Sequence, residues 1–114
     1  MVKLLMIADD FTGALDAGIQ FAKRGIDTQI FTGRELRKKD ISDTAQVLVV
    51  DSETRPLAGD EAYQIVKRIT KNAVKLEIPF ILKKTDSALR GNVGAELDAV
   101  MDGANEKQIY FIPA

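Results

Sequence analysis

Short apolar runs alternate with longer amphipathic segments along the chain, and this alternation limits the possible fold more than any other feature. The apolar runs cover residues 4–8, 28–32, 47–50, 79–82 and 108–112. The longer segments with apolar residues at helical spacing cover residues 14–24, 60–76 and 93–102. Short continuous apolar runs are typical of strands that are buried on both faces. The pattern predicts an α/β fold, namely a three-layer, Rossmann-like parallel sheet of five strands with helices on both faces.

Length and composition limit the class of protein further. The 114 residues suffice for one domain with a single core, which we expect to span residues 1–114. The formal net charge of -1 gives no basis for a general affinity for nucleic acid or anionic membranes. The longest apolar run is too short for a signal peptide or a membrane span. We therefore expect a cytoplasmic protein with neither nucleic acid nor a membrane as partner.

Two missing residue types restrict the chemistry. The chain has no cysteine, which excludes disulfides and thiolate metal sites, and no histidine. A general base must then be an aspartate, a glutamate or a lysine with a lowered pKa. A zinc site is also not expected, and we assign no metal ligands within the chain.

The segment from Lys83 to Asn92 is the richest in chemically useful side chains. It follows the apolar run at residues 79–82 and leads into the helix predicted at residues 93–102. Loops of this kind lie at the carboxyl edge of a parallel sheet, where ligands bind. Its substrate-binding candidates are Lys84, Asp86, Ser87, Arg90, Gly91 and Asn92. Gly91 and Asn92 would add backbone N–H donors at a helix start, which is a natural anion site.

Two further polar clusters follow predicted strands. Asp9 and Asp10 follow the first strand, and we expect one of them to face the cleft while the other caps the next helix. Asp51 and Arg55 belong to the segment that follows the third strand. Asp51 is suited to hydroxyl groups, and the forked guanidinium of Arg55 is suited to a carboxylate or phosphate. All three clusters should meet at one edge of the sheet.

Charged residues outside these clusters are interpreted as parts of solvated surfaces. We expect Glu96 and Asp98 to lie on the exposed face of the last helix. The inward face of that helix is predicted to consist of Val93, Leu97, Val100 and Met101. Lys83 is expected to extend along the strand toward solvent.

Three segments in the same order resemble the amino-terminal domain of the four-carbon acid sugar kinases. They are ADDFTGALDAG at residues 8–18, DSETR at residues 51–55 and KTDSALRGNVGAE at residues 84–96. The closing residues 111–114 resemble the strand that leads onward in that family. The segment at residues 57–60 departs from the family, which tends to have a Ser-Pro helix start there. This departure leaves the start of the second helix open.

The resemblance implies a function. The family phosphorylates erythronate, threonate or 2-oxo-tetronate with ATP, and this domain binds the sugar acid. ATP and Mg²⁺ would be bound mainly outside this chain, by a carboxyl-terminal domain that is missing here. We therefore expect a truncated chain, a fragment that is inactive alone, and a sugar acid as the small-molecule partner. Asp9 or Asp10 is favoured over Asp86 as the catalytic aspartate, because kinases commonly use an aspartate to orient the attacking hydroxyl.

The residues leave two alternatives open. The first is a phospho-receiver signalling domain, in which Asp51 would accept a phosphoryl group and Asp9 and Asp10 would hold magnesium. Receivers also have a lysine next to the proline after strand five, whereas Ile112 precedes Pro113 in this chain. The second alternative is a binding module without activity of its own.

Overall fold

The computed structural model describes residues 1–112, which form four strands and three α-helices. In chain order these are β1 (Leu4–Ala8), α1 (Phe11–Ala22), β2 (Thr28–Phe31), β3 (Val47–Asp51), α2 (Gly59–Lys75), β4 (Phe80–Lys84) and α3 (Val93–Ala104). A short 3-10 helix, Lys38–Asp40, lies between β2 and β3. None of the helices within residues 1–112 has the length and apolar character needed to cross a membrane.

The sheet is parallel and has the strand order β2-β3-β1-β4. β1 is therefore flanked by β3 and β4, although both follow it much later in the sequence. Ala8, at the end of β1, is in register with Asp51 of β3 and Lys84 of β4. This register brings the three loops that follow β1, β3 and β4 side by side at the carboxyl edge.

Helices cover both faces of the sheet, as the sequence predicts. Leu5 and Ile7 of β1 belong to a core that includes residues of α2 and α3. Met6 and Ala8 point to the other face and pack in a second core with Ala14 of α1. Alternate residues of a strand face opposite sides, so the domain has three layers with the sheet in the middle.

The prediction of five strands is wrong for the described residues. Residues 108–112 have no regular secondary structure, and β4 forms an edge of the sheet. Phe80 and Leu82 of β4 remain 68% and 47% exposed. A strand requires hydrogen bonds to a neighbour, and local β-propensity does not supply that neighbour. Residues 113 and 114 lie outside the described residues, so the Ile112–Pro113 junction and the family-like ending are not fully described.

All three α-helices of the described residues differ from their predicted form, in their first residue or in their buried face. α1 begins at Phe11, three residues earlier than predicted, because the side chain of Asp10 accepts a hydrogen bond from the Gly13 backbone at 2.9 Å. α2 begins at Gly59, where the family-like helix start was left open, and has no side-chain cap. The buried residues of α3 are Glu96, Ala99 and Val100. The expectation of a solvated Glu96 is therefore wrong. The buried face of α3 is rotated relative to the predicted face and includes Glu96.

Candidate functional site

The guanidinium of Arg55 lies at the centre of a cluster of carboxylates at the carboxyl edge. Its Nε and Nη2 donate to Oδ2 and Oδ1 of Asp9 at 3.1 and 3.0 Å. Its Nη1 lies 3.2 Å from Oδ2 of Asp10, and its Nη2 lies 3.2 Å from Oδ1 of Asp86. One cation from the loop after β3 thus holds three carboxylates from the loops after β1 and β4.

Asp86 binds a second arginine. Nε and Nη2 of Arg90 donate to Oδ2 and Oδ1 of Asp86 at 2.9 and 2.8 Å. The backbone N–H groups of Ala88 and Arg90 also donate to Oδ2. The hydrogen bonds from Arg90 hold the pKa of Asp86 well below its usual range. The Asp86 side chain is 7% exposed, whereas that of Arg90 is 67% exposed and reaches solvent.

One of the two adjacent aspartates after β1 caps the next helix, as the sequence predicts. Asp9 is buried and uses both carboxylate oxygens for Arg55. Asp10 uses Oδ1 to cap α1 and presents Oδ2 to Arg55. The start of α1 is therefore tied to the cluster through a single carboxylate.

Asp51 is a buried carboxylate with a raised pKa. It is 2% exposed, and its Oδ1 accepts a hydrogen bond from the Glu53 backbone N–H at 3.1 Å. Burial, together with the nearby carboxylates of Glu53 and Asp10, raises the pKa of Asp51 from 3.8 to about 6. Asp51 can therefore accept or release a proton close to neutral pH.

Gly91 allows the loop after β4 to approach Asp9. Its backbone has a φ of +86°, a conformation that side chains disfavour. A Cβ atom at this position would lie 2.7 Å from Oδ2 of Asp9 and 3.3 Å from Cγ of Arg55. Glycine is thus required both by the backbone and by the closeness of the Asp9–Arg55 pair.

The other predicted site residues lie around the cluster with different contacts. Nζ of Lys84 donates to the Thr85 carbonyl at 2.7 Å, and Ser87 is exposed. The side-chain amide of Asn92 donates to the carbonyls of Leu57 and Thr54 at 2.8 and 3.3 Å. Through these two hydrogen bonds Asn92 stabilises the segment that follows β3.

A buried polar network beneath the cluster was missed by the sequence interpretation. Lys83 Nζ lies 3.3 Å from Oε1 of Glu96, and both side chains are 2% exposed. The same Oε1 accepts a hydrogen bond from Thr54 Oγ1 at 3.0 Å, and Ser52 Oγ lies 2.8 Å from that hydroxyl. Burial raises the pKa of Glu96, and the positive charge of Lys83 offsets part of this rise. Only the fold brings these residues together, and their spacing in the sequence gives no signal.

Comparison with protein families and with curated proteins gives one consistent result. Residues 4–114 match the model of a family described as the sugar-binding N-terminal domain. A D-threonate kinase of Salmonella typhimurium is 36% identical over 107 residues, which are 93% of this chain and 25% of the relative. A D-erythronate kinase of Heliobacterium modesticaldum is 31% identical over 102 residues, 90% of this chain and 23% of the relative. A 3-oxo-tetronate kinase of Escherichia coli is 32% identical over 119 residues, the whole of this chain and 30% of the relative.

Solved structures agree with this result. A domain of unknown function from Bordetella bronchiseptica, crystallised with bound citrate as a domain-swapped dimer, matches with a TM-score of 0.79 and 31% identity. The match covers 89% of this chain and 26% of that one. The chain thus spans about a quarter of the length of the relatives that it matches. It belongs to the sugar-binding N-terminal domain family, and its relatives are kinases of four-carbon sugar acids.

Proposed function

We propose that this chain is the sugar-acid-binding part of an ATP-dependent kinase that phosphorylates a four-carbon sugar acid of the erythronate, threonate or oxo-tetronate type. The observation that carries the proposal is the convergence of Asp9, Arg55 and Asp86 at the carboxyl edge of the sheet. Each of these residues comes from a segment that resembles the kinase family. By itself the chain binds the substrate but does not transfer phosphate.

The carboxylates of the cluster suit the hydroxyl groups of a sugar acid. Ionised carboxylates are acceptors only, and each oxygen can take more than one hydrogen bond. Arg55 fixes Asp9, Asp10 and Asp86 in place, so a ligand meets acceptors that are already oriented. Asp51 and Ser87 are the further polar groups that we assign to substrate hydroxyls.

The carboxylate of the substrate requires a cation. Arg55 is surrounded by three carboxylates, so it can accept a further anion only by giving up one of these contacts. The exposed guanidinium of Arg90 and the ammonium of Lys84 are better placed to reach a bound anion, and the N–H groups near Gly91 and Asn92 would add donors. We therefore assign the carboxylate clamp first to Arg90 and Lys84, with Arg55 as the residue that organises the site.

The catalytic proton acceptor is one of the aspartates after β1 and β3. The family resemblance favours Asp9 or Asp10, which lie next to each other at the centre of the edge. Asp51 joins them as a candidate, because its pKa of about 6 is closer to neutral than that of an ordinary carboxyl group. In the complete enzyme the chosen aspartate would take the proton of the substrate hydroxyl.

ATP and Mg²⁺ do not fit the described residues of this chain. Residues 1–112 contain no group of three acidic, histidine or cysteine side chains arranged to hold a metal ion. The sequence also has no glycine-rich phosphate loop. We therefore assign the nucleotide and its metal to a further domain, which fits the much greater length of the relatives.

Isothermal titration calorimetry on the purified chain tests this proposal. D-threonate, D-erythronate and 3-oxo-tetronate are titrated separately, with the neutral alcohol threitol as the matched ligand control. We expect at least one acid to bind, and threitol to bind more weakly because the cations have no carboxylate to meet. Asp86→Asn should weaken the binding of the acid. If none of the acids binds, or if threitol binds equally well, the proposal is wrong.

A further inference from the structure

Thr54 is the residue that connects the cluster to the buried network beneath it. It is fully buried in the loop after β3 and precedes Arg55 in the chain. Its backbone N–H donates to the Asp9 carbonyl at 3.1 Å. Its own carbonyl accepts from the side chain of Asn92, and its hydroxyl donates to Glu96. Thr54 thus contacts the loop after β1 through Asp9, and the start of α3 through Asn92 and Glu96.

The loop that carries Arg55 requires such contacts. Glu53, next to Thr54, has a φ of +51°, which is left-handed backbone that a residue other than glycine adopts at an energetic cost. A strained conformation persists only where the surrounding structure holds it. The hydroxyl of Thr54 supplies a buried hydrogen bond to Glu96, and the ammonium of Lys83 fixes that carboxylate from β4.

We propose that Thr54 is a positioning residue whose hydroxyl, through Glu96, sets the place of the Arg55 guanidinium among the three carboxylates. The loop after β3 is in this way locked to α3 and β4, and the geometry of the site depends on the buried Lys83–Glu96 ion pair beneath it. The consequence for ligand binding rests on the proposed function. The consequence for Arg55 itself does not.

The test compares Thr54→Val, which has nearly the same shape but no hydroxyl, with Thr54→Ser, which keeps the hydroxyl. The matched control is Thr70→Val, because Thr70 is also fully buried and its hydroxyl donates at 2.9 Å to Val66, within α2. The first measurement is the Arg55 Nε–H cross-peak in ¹H–¹⁵N spectra, assigned with Arg55→Lys. The second is the affinity for D-threonate, D-erythronate and 3-oxo-tetronate by calorimetry, and the third is the urea midpoint.

We expect Thr54→Val to move the Arg55 Nε–H cross-peak toward the position of a solvent-exposed arginine and to weaken sugar-acid binding at least tenfold. Thr54→Ser and Thr70→Val should leave the cross-peak in place and change affinity less than threefold. If the cross-peak of Thr54→Val is unchanged, the proposal is overturned, even where the urea midpoint falls. If the cross-peak moves while the affinity stays, the link from Thr54 to ligand binding is overturned.

A second variant keeps the test decisive if Thr54→Val does not fold. The double substitution Lys83→Met with Glu96→Leu removes the acceptor of the Thr54 hydroxyl without leaving either buried charge unpaired. It should move the Arg55 cross-peak as Thr54→Val does, and an unmoved cross-peak contradicts the proposal. If the wild-type chain binds none of the sugar acids, the proposed function fails, while the cross-peak comparison still decides the positioning role.

Discussion

Arg55 binds both carboxylate oxygens of Asp9, at 3.0 and 3.1 Å, across 46 positions of sequence. A bidentate pair between a guanidinium and a carboxylate is directional as well as strong. Since the Asp9 side chain is only 6% exposed, the pair lies largely out of water. Together with the backbone N–H groups of Thr54 and Arg55, which donate to the Asp9 carbonyl, this pair joins the loops after β1 and β3.

Removal of the Arg55 guanidinium should destabilise the chain. Arg55→Ala leaves three carboxylates close together without their shared cation, and we expect a loss of about 2–4 kcal/mol because the guanidinium is still partly exposed. Arg55→Lys should recover little of this, since an ammonium cannot reproduce the fork. Urea unfolding measures the loss. Arg68→Ala is the control, because its pair with Glu35 is exposed and should be worth less than about 1 kcal/mol. Equal losses for the two alanine variants would contradict the central role of Arg55.

A methyl group at Gly91 should disturb the Asp9–Arg55 pair. Gly25 is the matched control, because it also has a positive φ, of +76°, but has no atom within 4 Å of the added Cβ. Gly25→Ala should therefore cost only the backbone strain, about 1 kcal/mol. Gly91→Ala should cost about 1–3 kcal/mol more, because its Cβ overlaps Oδ2 of Asp9. The measurement is the urea midpoint of both variants, and equal costs would show that Asp9 moves away freely.

The raised pKa of Asp51 predicts a stability that depends on pH. Between about pH 4 and pH 6 the folded chain keeps the proton that the unfolded chain has released, so the contribution of Asp51 to stability falls as pH rises through this range. Asp51→Asn should therefore stabilise the chain at pH 7.5 and have little effect at pH 4. Unfolding in urea at both values checks this, with the exposed Asp98→Asn as control. A change that is the same at both pH values for Asp51→Asn would contradict the raised pKa.

The crossing of α2 and α3 should depend on Gly103. A Cβ there would lie 2.7 Å from Cβ of Thr70 and 3.0 Å from the carbonyl oxygen of Lys67. Gly103→Ala should cost about 1–3 kcal/mol, because neither atom belongs to the end of a flexible side chain. Gly94→Ala, also in α3 but with open space around the added Cβ, should stabilise by up to about 1 kcal/mol. Thermal unfolding of the two variants should shift in opposite directions, and a shift of Gly103→Ala in the same direction as Gly94→Ala would show that the helices can separate.

Asp51 should not become phosphorylated as the acceptor of a receiver would. The ammonium of Lys83, near the end of β4, is bound to buried Glu96, and Asp51 lies among the carboxylates of Glu53 and Asp10. We expect the intact mass of the chain to stay unchanged after incubation with acetyl phosphate and Mg²⁺. A gain of one phosphoryl group that is lost in Asp51→Asn would favour the receiver interpretation.

The sequence predicts which residues meet at the carboxyl edge better than it predicts the number of strands. Asp9, Arg55 and Asp86 each follow an apolar strand, and parallel strands bring their carboxyl ends to one edge, so their meeting could be foreseen. It could not be foreseen that Arg55 would be held by the chain's own carboxylates. Distances between side chains depend on strand order, and the spacing of the motifs does not predict the order β2-β3-β1-β4.

The wrong predictions share one physical cause. Residues 108–112 have the composition of a strand, but strand formation depends on a partner that local composition cannot provide. Glu96 has a charged side chain of the kind usually found at the surface, but it is buried because Lys83 and Thr54 bind it from other elements. In both cases a contact between distant segments decides the outcome, and no local pattern records that contact.

The open edge of β4 also has a consequence for work with the isolated chain. Edge strands with exposed apolar side chains add to one another between molecules, and β4 presents Phe80 and Leu82 in this way. Copies of the chain should therefore associate edge to edge as the concentration rises. Titrations and spectra of this domain accordingly call for low protein concentrations, at which single copies predominate.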